Sequence, residues 1–278
     1  MRFTGSHDIA STVSAFIKNN ESRLRNQSVL DIPAGRGETA ELLNEIGANV
    51  YALDLFPENF QCSDLKCQYA DLNDRIPMES DSMDYVLCQE GIEHISDQPA
   101  ALRELARVLR PGGSLIITTP NPSNLRSRLS HLLNEAEHYK LMPTNEIDTI
   151  WLSKEETDED KIYYGHSFLI SFTKLRFLAR LAGLTFDKTY YDRANNFSAL
   201  LLPLLYPLIL LTSFLSYRRA LRKRPEIDEK TKKSIYWDVF KTAVDPRKLI
   251  VSHIFVEFKK TSTPEDTVYD LRKLNKLG

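Results

Sequence analysis

The sequence predicts an α/β fold, a doubly wound and mostly parallel seven-stranded sheet with an antiparallel late strand and helical insertions. Short runs of β-branched residues alternate with segments that have apolar residues at helical spacing, which is typical of βαβ units. The first predicted strand runs directly into a glycine-containing turn and a helix. Acidic residues then follow several of the predicted strands, so the carboxyl edge of the sheet is the expected site.

Composition excludes several classes of function. The chain has 278 residues with 36 basic and 38 acidic side chains, and a net charge of -2 gives no reason to expect nucleic acid as a partner. The three cysteines, Cys62, Cys67 and Cys88, form no CxxC pair and no histidine lies near them, so we predict neither disulfides nor a metal site. The N-terminus has no continuous apolar segment, and we expect a cytoplasmic protein.

The N-terminal half begins with a helical segment. Residues 1–27 are predicted to contain an amphipathic helix that packs beside the sheet through Ile9, Val13, Phe16 and Ile17. Three strands follow, at 29–32, 50–53 and 85–88, with a helix near 39–46 between the first two. The next helix begins near Asp97 and Pro99, and "RPGG" at 110–113 is expected to end it before the strand "SLIITTP".

The C-terminal half continues the same rhythm. A helix within 173–182 is expected to end at Gly183, before another strand, and 251–260 forms a late strand that pairs antiparallel at the sheet edge or within it. We therefore predict one domain over 1–278 with two insertions. Residues 121–165 are polar and helix-prone and would cap the substrate, and residues 194–249 are apolar and basic.

The turn in "VLDIPAGRGETA", residues 29–40, indicates what the sheet binds. Gly35 and Gly37 allow the backbone to approach a ligand closely, and Asp31 places a carboxylate at the strand end, which suits a cationic ligand. The GxGxxG spacing of a pyrophosphate site is absent, so NAD is disfavoured.

Two later acidic positions favour a nucleoside. Asp54 ends the strand "VYALD", 23 residues after Asp31, near the offset at which a carboxylate reaches ribose hydroxyls. Asp71 and Leu72 stand where a third strand should end. There the carboxylate can accept from an exocyclic amino group while the leucine packs on a purine.

These motifs together resemble a known family. "VLDIPAGRGE", "YALD", "ADL", "MDYVLCQEGIEHISD" and "LARVLRPGGSLIITTPNP" occur in the order seen in class I S-adenosylmethionine-dependent methyltransferases, which have a Rossmann-like fold. The resemblance covers about residues 28–122 and implies S-adenosylmethionine as the cofactor. It assigns the methionine part to the loop, the ribose to the second strand end, the adenine to the third, and the exit toward substrate to the fourth; the residues are Ala34, Gly35 and Gly37, then Asp54 and Leu55, then Asp71 and Leu72, then Gln89 and Glu90.

Pro33 departs from this family, which usually has glycine at that position. Proline fixes φ near -65° and has no N–H to donate. We expect a modified turn that still binds the cofactor.

Methyl transfer from a sulfonium is an in-line displacement, so holding the acceptor in a dry site matters most. A hydroxyl acceptor would benefit from a general base, for which histidine is best suited. His166 in "YYGHSFLIS" and His94 in "EGIEHISD" are the candidates, although His166 can equally be a surface or capping residue and His94 a support for its loop. His138 is a weaker candidate; we expect structural or solvent-facing positions for the others, His7, His131 and His253. The i, i+3 pair Glu90 and Glu93 is expected on a solvated face.

The second insertion contains "ALLLPLLYPLILLTSFL", 17 residues at 199–215 without a charge, followed by the basic "SYRRALRKR". A helix of that length spans about 25 Å, less than a bilayer core of about 30 Å, and Pro203 and Pro207 should kink it. We therefore expect residues 199–224 to make peripheral membrane contact, with the basic residues on anionic headgroups. A buried helix pair over an apolar pocket, or a dimer face, is the alternative.

The sequence thus predicts a methyltransferase that acts on oxygen of an amphiphilic small molecule, such as a lipid-linked sugar or a quinone precursor, at the membrane surface. The alternatives are a methyltransferase of a soluble metabolite and a non-catalytic lipid-interface protein that retains the fold. Amino methylation of nucleic-acid bases is disfavoured, because the fourth strand ends in "CQEG" rather than an Asn/Asp-Pro-Pro-aromatic tetrad.

Overall fold

A computed structural model describes residues 6–136, 142–152 and 162–275. Its strands are β1 (Ser28–Asp31), β2 (Asn49–Asp54), β3 (Cys67–Tyr69), β4 (Met83–Gln89), β5 (Leu109–Pro120), β6 (Ile150–Leu152), β7 (Ile162–Tyr164), β8 (Leu184–Tyr190) and β9 (His253–Lys260). Its helices are α1 (Ser6–Asn19), α2 (Glu21–Leu24), α3 (Glu38–Glu45), α4 (Gln98–Val108), α5 (Leu125–Asn134), α6 (Phe172–Leu181), α7 (Asn196–Leu221), α8 (Glu229–Val244), α9 (Pro246–Ile250) and α10 (Pro264–Leu274).

Seven strands form one sheet in the order β3-β2-β1-β4-β5-β9-β8. The pairs from β3 to β5 are parallel, and β9 lies antiparallel between β5 and β8. The predicted fold class is confirmed, and the late strand lies within the sheet rather than at its edge. Strand order reverses between β1 and β4, which is where an open sheet of this type binds its ligand.

Helices cover both faces of the sheet because side chains alternate along the strands. Val29 and Ile116 pack on one face with α1 and α3, whereas Leu30 and Ile117 pack on the other face with α4 and α6. All four side chains are buried. The predicted apolar positions of the first helix, Ile9, Val13, Phe16 and Ile17, are buried as expected.

A buried ion pair ties the N-terminal helices to the last strand. Arg23 of α2 donates to Glu257 of β9 at 2.7 Å, and the Tyr190 hydroxyl donates to the same carboxylate at 2.6 Å. The Glu257 side chain is only 1% exposed. These donors lower the pKa of Glu257 against the effect of its burial.

Two boundaries differ from the predictions. Helix α4 ends at Val108, and "RPGG" belongs to β5, because Met83 already pairs with Leu109 before the register shifts between Met83 and Tyr85. Gly112, with φ of 82°, lies in this shifted segment. Strand β3 ends at Tyr69 and not at Asp71, since the chain turns there through an Asx turn.

The cap insertion reaches back over the sheet. Strands β6 and β7 form an antiparallel ribbon, and the Tyr163 ring packs edge-on against Phe56, just beyond the end of β2, at 5.0 Å between centroids. The Phe168 N–H donates to the Glu93 carbonyl at 3.1 Å. The ribbon therefore lies beside the end of β2, and a role of residues 121–165 as a substrate cap stays a prediction. His138 lies outside the described residues.

The second insertion forms a helical hairpin of α7 and α8. The Tyr206 hydroxyl donates to the Val244 carbonyl at 3.1 Å, and Lys232 Nζ donates to the Leu221 and Lys223 carbonyls at 3.3 Å. Four rings pack between the helices near the basic end, those of Phe214, Tyr217, Trp237 and Phe240. The hairpin starts beside α5, where Ser198 Oγ accepts from the Arg126 N–H at 3.1 Å.

Helix α7 is longer than predicted. It continues through Pro203 and Pro207 for 26 residues, or about 39 Å at 1.5 Å per residue, because the polar residues on both sides of the apolar run extend it. In its most apolar 18-residue window the mean hydropathy is 2.0 and only 6% of the window is buried. By length and composition alone it is the one helix among the described residues that meets the criteria for crossing a membrane. The exposure of α7 therefore does not agree with the alternative of a buried helix pair over an apolar pocket.

Candidate active site

The carboxylate of Asp31 closes the end of β1 and has no partner. The residue is 1% exposed, and neither carboxylate oxygen has a hydrogen-bond partner. Burial, and then the nearby Asp54, raises the pKa of Asp31 to about 8. A buried carboxylate without a donor is costly, and a cation placed beside it would remove that cost.

The turn after β1 is built around two glycines with positive φ, 54° at Gly35 and 91° at Gly37. The Gly35 N–H donates to Asp54 Oδ2 at 2.7 Å, which ties the turn to the end of β2. A Cβ at Gly37 would lie 2.7 Å from the Phe60 ring, so only glycine fits there. Ala34 is buried, and its N–H donates to the Leu53 carbonyl at 2.9 Å.

Pro33 lies at the start of this turn. The Ile32–Pro33 peptide is cis. The proline ring packs so closely on Gly91, beyond the end of β4, that a Cβ there would lie 2.5 Å from Pro33 Cδ. The turn of β1 and the loop after β4 are thereby packed together.

The predicted ribose position lies at the end of β2, and the predicted adenine position lies just beyond the end of the adjacent β3. Asp54 is 7% exposed, and its Oδ1 accepts from the Phe56 N–H at 2.8 Å. Leu55 is half-buried beside it, and Leu72 is buried. Asp71 is half-buried, and its Oδ1 accepts from the backbone and side chain of Asn73 at 2.8 and 2.9 Å.

The fourth strand supplies Gln89 and Glu90. Gln89 Oε1 accepts from the Thr39 hydroxyl at 3.0 Å, which connects β4 to α3. Glu90 has a positive φ of 49°, and its N–H donates to the Thr118 carbonyl at 3.0 Å. Its Oε1 is buried without a partner. Burial raises the pKa of Glu90, and the neighbouring Glu93 raises it further.

These residues fit a cationic nucleoside cofactor. The unpartnered Asp31 carboxylate, the buried Asp54 carboxylate beside the half-buried Leu55, and the half-buried Asp71 beside the buried Leu72 lie along one rim of the sheet. A positive charge beside Asp31 is the chemical feature this rim lacks. The predicted cofactor residues are thus brought together at one edge.

The two histidines predicted as catalytic candidates also lie together. Their rings are 5.0 Å apart between centroids, and Nδ1 of His94 lies 2.7 Å from the Tyr164 carbonyl oxygen, which orients the ring. His166 is exposed, whereas His94 is half-buried. No comparison or contact tests their catalytic role, which stays a prediction.

Glu93 corrects the expectation of a solvated acidic face. Its side chain is fully buried. Glu93 lies in a short 3-10 turn, Ile92–His94, and Glu90 precedes that turn with a positive φ. The two residues therefore do not share one α-helix, and the i, i+3 argument does not apply. Its carboxylate accepts from the Thr119 hydroxyl at 2.9 Å. Glu93, His94 and His166 each offer a ligand atom within 4.8 Å of the others, so this part of the described chain has the donors for a metal ion. The expectation of no metal stays a prediction.

A charged pair that the sequence does not predict lies at the same rim. His253, expected to be structural or solvent-facing, has an 11% exposed side chain with Nδ1 3.1 Å from Asp192 Oδ2 and Nε2 3.8 Å from Glu90 Oε2. Strand β9 runs antiparallel to β5 and β8, so its first residue lies beside the last residues of those two strands. The late strand therefore brings a histidine to the site, and its predicted antiparallel direction was the available signal.

The family profile described as "Methyltransferase domain" matches residues 5–186, which is more than half of the chain. Two relatives are named ubiquinone biosynthesis O-methyltransferase. The one from Xanthomonas oryzae pv. oryzae (strain PXO99A) is 35% identical over 107 residues, covering 35% of this chain and 45% of the relative. The one from Idiomarina loihiensis is 30% identical over 141 residues, covering 48% and 57%. The matches span about half the length of these relatives.

The fold also matches a solved structure, a SAM-dependent methyltransferase from Archaeoglobus fulgidus. It is 16% identical with a TM-score of 0.50, and the match covers 90% of this chain and 94% of the other. That likeness supports the fold alone. The predicted family and its cofactor, S-adenosylmethionine, are confirmed by the family match together with the sheet. The chain belongs to the methyltransferase domain family, in its class I, S-adenosylmethionine-dependent form.

Proposed function

We propose that this protein transfers a methyl group to an oxygen atom of an amphiphilic aromatic molecule, a quinone precursor, at a membrane surface. The relatives named ubiquinone biosynthesis O-methyltransferase support the acceptor class. They favour it over the lipid-linked sugar that the sequence left open. The observation that carries the proposal is the rim of the sheet, where the unpartnered Asp31 carboxylate ends β1 just before the glycine turn.

When bound, S-adenosylmethionine supplies a methyl group on a positively charged sulfur. The chain's own part is to bind and orient. Asp31 offers the cation a buried carboxylate, Gly37 leaves room for the Phe60 ring behind the turn, and Asp54 already fixes the turn through the Gly35 N–H. The cap ribbon, held by Tyr163 on Phe56, excludes water from this edge.

His94 and His166 are our proposed acceptors of the hydroxyl proton. The Tyr164 carbonyl oxygen lies 2.7 Å from His94 Nδ1 and fixes the orientation of the ring. His166 lies beside it on the cap. The variants His94→Gln and His166→Gln test this, and an unchanged transfer rate in either variant removes that residue from the role.

We propose that α7 provides the membrane contact. A stripe of exposed leucines at helical spacing runs along it, with 57% to 75% of each side chain in solvent: Leu200, Leu204, Leu208, Leu211 and Leu215. Five cations follow at its end, Arg218, Arg219, Arg222, Lys223 and Arg224. An apolar stripe beside a basic cluster fits an interface-lying helix on an anionic bilayer.

Vesicle flotation of the full-length chain tests this contact. The triple variant Leu204→Ser, Leu208→Ser, Leu211→Ser should lose binding to vesicles that contain phosphatidylglycerol, because these side chains have little packing to lose. The matched control is Val268→Ser with Tyr269→Ser on α10, which are also exposed and should bind as the wild type does. Equal flotation of the triple variant and the wild type would refute the contact.

The acceptor class is tested by methyl transfer from labelled S-adenosylmethionine to a polyprenylated benzenediol. We expect transfer to oxygen, and faster transfer than to the same diol without its chain. A faster rate with the soluble diol would favour a soluble metabolite as acceptor. Binding of S-adenosylmethionine without transfer to any hydroxyl would contradict the proposal, and no binding at all would favour a non-catalytic protein.

A further inference from the structure

A second cleft lies beside the candidate active site, at the carboxyl rim near β8 and β9. It is lined from α5, α6 and α9, and by the first residue of β9; the polar residues on its walls include Asn121, Ser123, Arg128, Thr173, Lys248 and His253. His253 lines the cleft, and its Nε2 also lies 3.8 Å from Oε2 of Glu90, the residue that follows β4. It therefore adjoins the point where the resemblance to the family places the cofactor's exit.

Lys248 lies in this cleft without an acidic partner. Its Nζ lies 3.6 Å from the centroid of the Phe172 ring, and among the described residues no carboxylate is within ion-pair distance of it. Burial lowers the pKa of Lys248 to about 8. A half-buried ammonium whose contact is with the face of a ring still has N–H groups that can donate hydrogen bonds to a ligand.

The charges that face Lys248 are mostly of its own sign. Asp245 acts most strongly among these charges and raises the pKa of Lys248, whereas Arg176 of α6 and Arg247 of α9 lower it. The Asp245 carboxylate is already shared, since it accepts from the Tyr191 hydroxyl at 2.9 Å and lies 3.4 Å from Arg247 Nε. The region around the ammonium is thus left with uncompensated positive charge.

Arg128 adds a second cation to the same cleft. Much of its side chain is exposed, but the surroundings of its guanidinium are desolvating enough to lower its pKa, and it has no ion pair within the described chain. Guanidinium groups pair with carboxylates and phosphates in two-pronged geometry. Two unpaired cations that line one cleft, from α5 and α9, are what an anion would require.

We propose that Lys248 and Arg128 bind an anionic group, a carboxylate or a phosphate, carried by the acceptor molecule. The proposal rests on the proposed function, because it names a feature of that acceptor. The anion would occupy the cleft while the hydroxyl to be methylated points past His253 toward Glu90. Recognition of this group would distinguish charged acceptors from neutral ones of the same shape.

Direct binding tests the subsite without relying on turnover. The full-length protein, saturated with S-adenosylhomocysteine, is titrated calorimetrically with 3,4-dihydroxybenzoate and with catechol, which differ only in the carboxylate. We expect the benzoate to bind at least about tenfold more tightly, the effect of one charge-assisted contact. Equal affinities for the two probes would overturn the proposal.

Two variants and one control locate the effect. Lys248→Met keeps the packing on Phe172 and Arg128→Gln changes a largely exposed side chain, so both should fold; each should remove most of the preference for the benzoate and leave catechol affinity unchanged. Lys66→Met removes an exposed lysine near β3 and should bind both probes as the wild type does. A preference that survives both variants would refute the assignment.

Two further measurements identify the chemical class of the anion and test whether the protonation state of Lys248 matters. Inorganic phosphate and benzoate are compared as competitors of the dihydroxybenzoate, and the stronger competitor identifies a phosphate-bearing or a carboxylate-bearing acceptor. The preference should also weaken as the pH rises above about 8 in the wild type but not in Lys248→Arg, since arginine stays charged. A preference independent of pH in both would contradict a role for the lysine. Failure of S-adenosylhomocysteine to bind at all would instead refute the proposed function.

Discussion

The Nδ1 atom of His253 lies 3.1 Å from Oδ2 of Asp192, and Asp192 Oδ1 in turn accepts from the Thr12 hydroxyl of α1 at 2.9 Å. The contact joins the start of β9 to the chain just beyond β8. Despite its burial, the pKa of His253 is raised by Asp192, Glu90 and Glu93. The donors around Asp192 lower the pKa of that carboxyl although its burial opposes this.

Replacing Asp192 by asparagine should lower the pKa of His253, which NMR titration of the imidazole measures. The pair stabilises the fold only while the histidine is protonated and the aspartate ionised. Its full contribution, about 1–3 kcal/mol, is expected between the unfolded pKa values of aspartate and histidine, about 3.9 and 6.5. It declines as the pH rises through the raised pKa of His253 or falls through the lowered pKa of Asp192. An unchanged His253 titration in Asp192→Asn would contradict this coupling.

Asp31 should release a proton when the cationic cofactor binds. Its pKa of about 8 means that the carboxyl is largely protonated at pH 7, and a nearby positive charge lowers that pKa. Calorimetry of S-adenosylmethionine binding in buffers of different ionisation enthalpy measures the release, which Asp31→Asn should abolish together with part of the affinity. Binding without proton release in the wild type would contradict this prediction.

The same substitution should stabilise the cofactor-free protein at high pH. Because the folded pKa is raised from 3.8 to about 8, the native state loses stability as the pH increases through that window. Denaturant unfolding of Asp31→Asn against the wild type should therefore show no gain near pH 4 and the largest gain above pH 8, relative to those two pKa values. A gain that does not depend on pH would point to another cause.

Gly35→Ala separates the conformational cost of the turn from its binding role. Gly35 and Gly112 both have positive φ, 54° and 82°, and nothing lies within 4 Å of a Cβ at either position. Each alanine variant should lose about 1–2 kcal/mol of stability from the left-handed backbone alone. Only Gly35→Ala should also lose affinity for S-adenosylmethionine. Equal affinity in both variants would remove Gly35 from the cofactor site.

Arg23→Met should destabilise the protein far more than Arg25→Met. The first change leaves the buried Glu257 carboxylate without its cation, at a cost of about 2–3 kcal/mol, reduced because Arg23 keeps 37% of its side chain in solvent. The Arg25 pair with Glu21 is exposed and should contribute less than about 0.5 kcal/mol. Since the pKa of Glu257 is lowered, the difference should diminish as the pH falls through that lowered value. Urea unfolding of the two variants checks this, and equal losses would refute it.

Much of the fold followed from local patterns. The glycine turn, the acidic ends of β1 and β2, and the helix that stops before Gly183 each depend on residues close in sequence, and each was predicted. The contacts of His253, Lys248 and Glu93 depend on strand order and on the direction of β9, which bring distant segments together. The residue types of these three side chains do not indicate which distant segments they contact. The predicted helix at 199–215 is shorter than α7, because the prediction took the limits of the uncharged run as the ends of the helix. The helix continues beyond those limits on both sides.

The hairpin of α7 and α8 leaves and rejoins the sheet at a single point. The Asn195 N–H donates to the Ile250 carbonyl at 2.7 Å, and Ala194 bridges Val251, so the stem of this excursion is already closed by backbone pairing. The pairing of β8 with β9 therefore does not depend on the segment that connects them. The connection between these strands can therefore change in length or sequence without altering the sheet that carries the candidate active site, and such a change would alter only the surface that α7 and α8 present.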